Sequence, residues 1–199
     1  HKCVKIFYKK FPNLKKKKFF LFLGRFHEKK GCEILIKSVK KMLDSNTNIQ
    51  ILMAGPNSKY KNKLKALSSK YKLDNNIYWT DIILKDLKWG AISASQGMVL
   101  SSHGENFGVS LAESLSCSRP VITTDKVNIY REILNSRAGF ISKNNVNSFY
   151  SILKKFNNLS KTNIKKMNVN SLNCFKKNFD PSLSKKDLGA FLSNEFNKH

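Results

Sequence analysis

Two segments of the chain combine charged side chains and glycines in spacings that suit a phosphorylated ligand. The first covers residues 24–31 (GRFHEKKG) and places Arg25 and Lys30 between two glycines, directly after a short apolar run. Cationic side chains and the N–H groups at the start of a helix both favour anions, so a diphosphate would fit here. The spacing matches neither the P-loop nor the GxGxxG pattern of dinucleotide sites. The alternative is a solvated basic turn.

The second segment covers residues 101–113 (SSHGENFGVSLAE) and contains two glutamates in a chain with only 13 acidic residues. Glu105 lies in a predicted strand-to-helix turn, and Glu113 lies in the helix that follows. The Phe107–Gly108 bend would expose backbone N–H groups at the helix start. A carboxylate can accept both hydroxyls of a ribose while the helix start faces a phosphate. The alternative is that Glu113 pairs with a surface lysine and Glu105 caps the helix.

Short apolar runs alternate with amphipathic segments along most of the chain, which predicts an α/β fold with a parallel sheet. Right-handed crossovers give a doubly wound, Rossmann-like sheet, for which we predict the strand order 3-2-1-4-5-6. Ligands bind such sheets beyond the carboxyl ends of the strands, where both motif segments lie. The predicted strands are residues 18–24, 48–54, 77–79, 97–100, 121–123 and 139–141. The predicted helices are residues 32–43, 58–71, 84–94, 109–117, 129–134 and 146–156.

The chain has 199 residues, enough for one domain with a small appendage. Residues 1–158 are predicted to form the sheet domain. Residues 159–199 are polar and predict two helices around the Asp180–Pro181 break. No apolar run reaches the roughly 18 residues of a membrane span. The four cysteines form no CxxC pair, which predicts free thiols in a reducing cytoplasm and no zinc site.

The charge balance of the chain is strongly basic. Thirty-seven Lys and Arg residues oppose 13 Asp and Glu residues, for a net charge of +24. Such an excess is typical of proteins that bind nucleic acid or an anionic membrane surface. Only four of these residues are arginines, the side chain best suited to bidentate phosphate contacts. We therefore predict peripheral contact with the inner, anionic face of a membrane rather than binding to nucleic acid.

Three motifs together resemble a known family. GR-x4-KG at residues 24–31, ENFG-x4-E at residues 105–113 and RPVIT at residues 119–123 are similar to motifs of the retaining GT-B glycosyltransferases. The resemblance is to the C-terminal, donor-binding half of glycosyltransferase family 4, also called glycosyl transferases group 1. It covers about residues 19–156. It implies one Rossmann-like half of a GT-B fold.

The resemblance implies a role for each motif residue. It assigns Arg25 and Lys30 to the donor diphosphate, Glu105 to the donor sugar, and these three to catalysis. It assigns Glu113 to the ribose hydroxyls. The remaining implied donor- and nucleotide-binding residues are Gly24, Asn106, Phe107, Gly108, Thr80 and Leu84. The substrate would be a nucleotide-diphosphate sugar, transferred with retention of anomeric configuration and without a cofactor or metal.

The chain also departs from the family. The family's N-terminal acceptor domain is a partner that we expect to be missing here, so we expect the chain alone to be inactive. The C-terminal helices would pack against that domain, leaving part of their apolar faces exposed here (Phe175, Phe179, Leu188, Phe191 and Leu192). Asp81 and Ser118 stand where the family usually has glycine, which predicts weaker nucleotide affinity and a strained turn. The alternative function is a basic module that binds nucleic acid or another polyanion on a degenerate glycosyltransferase scaffold.

Overall fold

Strands and helices alternate along residues 2–182, the part of the chain that this computed structural model describes. All six strands are parallel and lie in the order β3-β2-β1-β4-β5-β6, which confirms the predicted doubly wound sheet. The strands are β1 (Phe19–Leu23), β2 (Gln50–Ala54), β3 (Ile77–Thr80), β4 (Met98–Leu100), β5 (Val121–Thr124) and β6 (Gly139–Ser142). The helices are α1 (Lys2–Lys10), α2 (Cys32–Asp44), α3 (Lys59–Lys70), α4 (Lys85–Ala94), α5 (Val109–Ser116), α6 (Tyr130–Asn135), α7 (Val146–Asn157) and α8 (Lys161–Asn178).

The neighbouring interior strands β1 and β2 are apolar along almost their whole length because helices cover both faces of the sheet. Phe20 of β1 pairs with Ile51 of β2, and both side chains are buried. Phe156 of α7 packs edge-to-face on Phe20, with 5.0 Å between ring centroids. The apolar face of α2 lies in the same layer, against α7. This packing sets where the carboxyl ends of the strands emerge.

The predicted helices do not include α1, although Val4, Phe7 and Tyr8 recur at the i, i+3, i+4 spacing of an amphipathic helix. Helix α1 packs along α4, and its Phe7 is fully buried and stacks on Phe19 at 5.5 Å between ring centroids. Gly90 permits this approach, since a Cβ there would lie 2.1 Å from the carbonyl oxygen of Cys3. The close approach of the α1 backbone therefore explains why a glycine lies inside α4.

The C-terminal region begins with α8, whose first turn is capped by the Ser160 hydroxyl. The helix packs against α5 and α6 of the sheet domain. Of the residues expected on its apolar face, Phe175 and Phe179 pack against the core and are partly buried. The predicted second helix, with Leu188, Phe191 and Leu192, extends outside the described residues. No helix between residues 2 and 182 combines the length and apolarity that a membrane span needs.

Candidate functional site

The loops that follow β1, β2 and β4 enclose a cavity of about 480 Å³ at the carboxyl edge of the sheet. This volume falls in the range of about 300–1,000 Å³ typical of small-molecule sites. Three predicted residues, Arg25, Lys30 and Glu105, line it together. The other lining residues are Phe26, His27, Lys29, Pro56, Ser58 and Gly104.

The loop after β1 is held against the end of β4 by a close backbone approach and by two serine hydroxyls. Gly31 has a left-handed φ of 61°, and a Cβ there would lie 1.9 Å from the Ser101 carbonyl oxygen. The Ser101 hydroxyl donates to the Gly31 carbonyl oxygen at 2.8 Å, and the Ser102 hydroxyl donates to the Lys29 carbonyl oxygen at 2.7 Å. These contacts hold Lys30 beside the loop that carries Glu105.

The Lys30 ammonium forms an ion pair with Oε2 of Glu105, and each side chain is 23% exposed. Glu105 does not cap α5, because the cap residue is Gly108 without a side-chain hydrogen bond. Its backbone instead pairs with the loop after β5, through the Lys126 carbonyl oxygen and the Asn128 N–H, each at 3.0 Å. The alternative of a capping role for Glu105 is therefore wrong.

Arg25 is one of two exposed cations that line this cavity, the other being Lys29. The Arg25 side chain forms no ion pair with any residue in the described part of the chain. The guanidinium is thus free to bind an anion from outside, whereas the Lys30 charge is already partly offset by Glu105.

The turn between Glu105 and α5 exposes backbone N–H groups and one aromatic ring. Gly108 has a left-handed φ of 71°, as a bend just before the helix requires. The first N–H that donates within this turn is that of Leu111, to the Gly108 carbonyl oxygen at 2.8 Å. The earlier N–H groups of α5 can therefore serve an anion. Phe107 is 43% exposed and packs edge-to-face on Phe179, with 5.6 Å between ring centroids.

Glu113 is bound by a residue that sequence reasoning missed. The Lys88 ammonium of α4 lies 2.6 Å from Oε1 of Glu113, and the side chains are 22% and 23% exposed. The alternative that Glu113 pairs with a lysine thus describes the observed contact, although that lysine is largely buried. Lys88 lies shortly after the loop that follows β3, at the carboxyl edge of the sheet. That position could have indicated from the sequence that Lys88 lies near the site.

The structure does not bring all the predicted residues into one cavity. Asn106 lines an adjoining cavity of about 470 Å³ together with Glu105 and Lys126. Neither cavity is lined by Glu113, Gly24, Phe107, Gly108, Thr80 or Leu84. A larger cavity of about 660 Å³ lies at the opposite edge of the sheet, near the amino ends of the strands, and contains none of the motif residues.

The loop after β3 is held by a buried lysine. Lys61 of α3 is 1% exposed, and its ammonium donates to the carbonyl oxygens of Gly55 at 3.3 Å and Thr80 at 3.0 Å. It also donates to Asn57 Oδ1 at 2.9 Å and to Asp81 Oδ1 at 2.7 Å. The hydrogen bond from Lys61 lowers the pKa of the Asp81 carboxyl. The Asp81 charge is therefore balanced by a partner within the fold.

The side chains around these loops that could bind a metal ion are dispersed. Within residues 2–182, His, Cys, Asp and Glu side chains form no cluster of three or more that could hold a metal ion. The two histidines of the motif loops are engaged in local contacts. Nδ1 of His27 accepts the Lys29 N–H at 3.1 Å, and Nδ1 of His103 lies 2.7 Å from Nδ2 of Asn144.

Comparison with known proteins identifies the family. Residues 4–170 match the family described as "Glycosyl transferases group 1". The chain belongs to this family. The resemblance inferred from the three motifs is therefore confirmed at the level of the family, and the sheet is one Rossmann-like half of a GT-B glycosyltransferase fold.

Relatives of this glycosyltransferase chain extend the comparison. It is 35% identical over 127 residues to an uncharacterized glycosyltransferase of Methanocaldococcus jannaschii, covering 63% of the chain and 30% of the relative. Its fold matches Anabaena HepE, solved with UDP and glucose, at a TM-score of 0.82 and 14% identity, covering 97% of the chain and 52% of HepE. It also matches the C-terminal domain of LpcC from Francisella tularensis at a TM-score of 0.74 and 17% identity, covering 89% of the chain and 98% of that domain. The chain thus spans less than a third of the curated relative and about half of HepE.

Proposed function

We propose that this chain is the donor-binding half of a retaining glycosyltransferase of family 4, which transfers a sugar from a nucleotide-diphosphate sugar to an acceptor. The observation that carries the proposal is the grouping of Arg25, Lys30 and Glu105 around one cavity at the carboxyl edge of the sheet. Membership of the glycosyl transferases group 1 family supports it. The full-length match to the C-terminal domain of LpcC supports assignment to that half.

In this proposal the cavity stabilises the leaving diphosphate. Arg25 has no partner among the described residues, so its guanidinium can bind two phosphate oxygens. Lys30 and the first N–H groups of α5 add positive potential on the same edge of the sheet. Charge that develops on the diphosphate as the glycosidic bond breaks is then stabilised electrostatically, which requires no metal. Removing one such contact costs on the order of 10²-fold in rate.

Glu105 and Glu113 have separate roles in the proposal. Glu105 sits at the cavity and contacts the donor sugar, with its backbone held by the loop after β5. Glu113 receives the ribose hydroxyls, and the loop from Thr80 to Leu84 borders the base. The exposed Leu84, at 65%, offers an apolar surface for that base.

The second half of the cleft would come from a Rossmann-like acceptor domain. The chain alone would then bind nucleotide but transfer no sugar. The lysine-rich surface would place the enzyme against an anionic membrane. The competing candidate, a polyanion-binding module, is favoured by one observation, the net charge of +24.

The test is a thermal-shift and calorimetry panel with UDP, GDP and ADP against pyrophosphate and duplex DNA, at about 150 mM salt. A ligand at 100 times its Kd stabilises by about 2.7 kcal/mol, a shift of several degrees for this size. We expect one nucleoside diphosphate to respond. Arg25→Gln should abolish most of that response, whereas Arg131→Gln, an exposed arginine of α6 with the same charge change, should retain it. No nucleotide response, together with DNA binding that collapses as salt rises, would favour the polyanion module.

A further inference from the structure

We propose that Lys88 is a positioning residue for Glu113. Its ammonium holds one carboxylate oxygen, so that the other oxygen receives the ribose hydroxyls and the site prefers ribonucleotides to 2′-deoxyribonucleotides. This inference rests on the proposed function, in which Glu113 binds the ribose.

The Lys88–Glu113 pair differs from the pairs that a lysine-rich surface forms by chance. The Lys37–Glu33 and Lys40–Asp44 pairs join neighbouring turns of α2, and their side chains are between 38% and 58% exposed. Lys88 and Glu113 instead join α4 to α5, and both side chains are more than three-quarters buried. A partly buried pair between two helices has a defined geometry, whereas exposed pairs contribute little.

The position of the Lys88 ammonium is fixed from two sides. Its Nζ lies 2.6 Å from Oε1 of Glu113 and 4.4 Å from the centroid of the Trp89 ring. Its backbone N–H donates to the Leu84 carbonyl oxygen at 3.2 Å, at the first turn of α4. A cation held between a carboxylate and an indole ring cannot easily move away when a ligand binds.

The two oxygens of the Glu113 carboxylate can bind different partners. An ionised carboxylate offers two oxygens with about four acceptor positions, and Lys88 occupies a position on Oε1. No hydrogen bond from the described residues reaches Oε2 of Glu113. That oxygen can therefore accept hydroxyl donors.

Discrimination between ribose and deoxyribose follows from this arrangement. A site built to pair with a hydroxyl rejects an analogue that lacks it, because a charged acceptor is then left without its partner. The discrimination depends on the carboxylate staying in one orientation. Without Lys88, Glu113 can rotate toward solvent and lose that orientation.

The experiment compares the affinities of UDP and 2′-deoxy-UDP by calorimetry, or of the GDP pair if the nucleotide panel favours GDP. We expect wild-type protein to prefer the ribonucleotide by about tenfold or more. Lys88→Met should reduce that preference by at least about threefold, and Lys88→Arg should retain most of it. Pyrophosphate affinity should stay unchanged in Lys88→Met. The matched control is Lys85→Met, an exposed lysine of the same helix, which should keep the full preference.

Two results would overturn the inference. Tighter nucleotide binding by Lys88→Met would mean that Lys88 blocks Glu113. A lower Tm with unchanged preference, in both Lys88→Met and the second variant Lys88→Gln, would mean that the pair only ties α4 to α5. Glu113→Ala separates this failure from failure of the proposed function. If Glu113→Ala keeps the preference, the ribose role itself is wrong; if it loses the preference while Lys88→Met keeps it, only the role of Lys88 is wrong.

Discussion

The ammonium of Lys61 lies 2.7 Å from the carboxylate of Asp81, and this buried lysine connects the loops that follow β2 and β3. Its side chain is 1% exposed, whereas that of Asp81 is 66% exposed. The pair therefore has one end inside the domain and one end in water. The two backbone acceptors of Lys61, on Gly55 and Thr80, make it a link between neighbouring strand ends.

Replacing Lys61 should destabilise the domain. Lys61→Met keeps the length of the side chain but leaves the Gly55 carbonyl oxygen without the Lys61 donor and that of Thr80 with only the Gly55 N–H, at a cost of roughly 1–3 kcal/mol. A thermal melt should show a Tm lower by several degrees. Lys63→Met, an exposed position of the same helix, is the control and should melt like wild type. Equal Tm values for the two variants would show that the buried contacts of Lys61 do not stabilise the fold.

The ion pair also predicts a pH dependence. Because the hydrogen bond from Lys61 lowers the folded-state pKa of Asp81, the stabilisation is present above the unfolded-state pKa of the carboxyl, which lies near the ordinary aspartate value of 3.8. It is lost as the pH falls through the lowered folded-state pKa. Asp81→Asn should therefore be less stable than wild type in urea unfolding at about pH 7, with the difference shrinking below about pH 4. A difference that stays constant across this range would contradict the pairing.

Gly90 should be intolerant of a methyl group. Alanine normally stabilises a helix interior by about 1 kcal/mol relative to glycine. At Gly90 the added Cβ would lie 2.1 Å from the Cys3 carbonyl oxygen, so α1 must move away from α4. We expect Gly90→Ala to lose roughly 1–3 kcal/mol in denaturant unfolding. Gly104→Ala, where a Cβ would meet nothing within 4 Å, is the control and should be close to neutral. A more stable Gly90→Ala would show that α1 does not pack there.

Ser118 carries the backbone strain that the sequence predicts. Its φ is 56°, in the left-handed region that favours glycine. Ser118→Gly should relieve roughly 1–2 kcal/mol of strain, less the entropy that glycine adds to the unfolded chain, for a net gain of roughly 0.5–1 kcal/mol. Ser118→Ala keeps the Cβ and should show no gain. Urea unfolding distinguishes the variants, and a less stable Ser118→Gly would contradict the assignment.

The four cysteines, all free, should differ in reactivity. Burial raises the pKa of Cys32 to about 12 and also raises the pKa of Cys174, whereas Cys3 and Cys117 are partly exposed. Because the thiolate is the reactive form, iodoacetamide should modify Cys3 and Cys117 in the native protein. Cys32 and Cys174 should react only after unfolding, as peptide mass spectrometry would show. Native modification of Cys32 as fast as Cys3 would contradict its burial.

Local patterns in the sequence were sufficient to predict the parallel sheet. The continuous apolar run at residues 19–23 predicts a strand buried on both faces, and the spacing of Leu35, Ile36 and Val39 shows which face of a helix is buried. The parallel order follows from general rules for crossovers, and the motifs at residues 24–31 and 105–113 indicated the family. These features depend on residues close together in the chain, so the periodicity of apolar residues and the residue types of the turns reveal them.

Tertiary structure decided the contacts that join distant segments. Helix α1 packs in the groove that Gly90 opens on α4, a contact between residues far apart in the chain. The sequence presents Lys61 as one solvent-facing lysine among many, yet it is buried because four acceptors from two loops surround its ammonium. Lys88 and Glu113 are 25 residues apart and meet only because α4 and α5 cross the sheet side by side. In a chain with 37 basic residues, charge alone does not select the partner of a glutamate; the packing of the helices does.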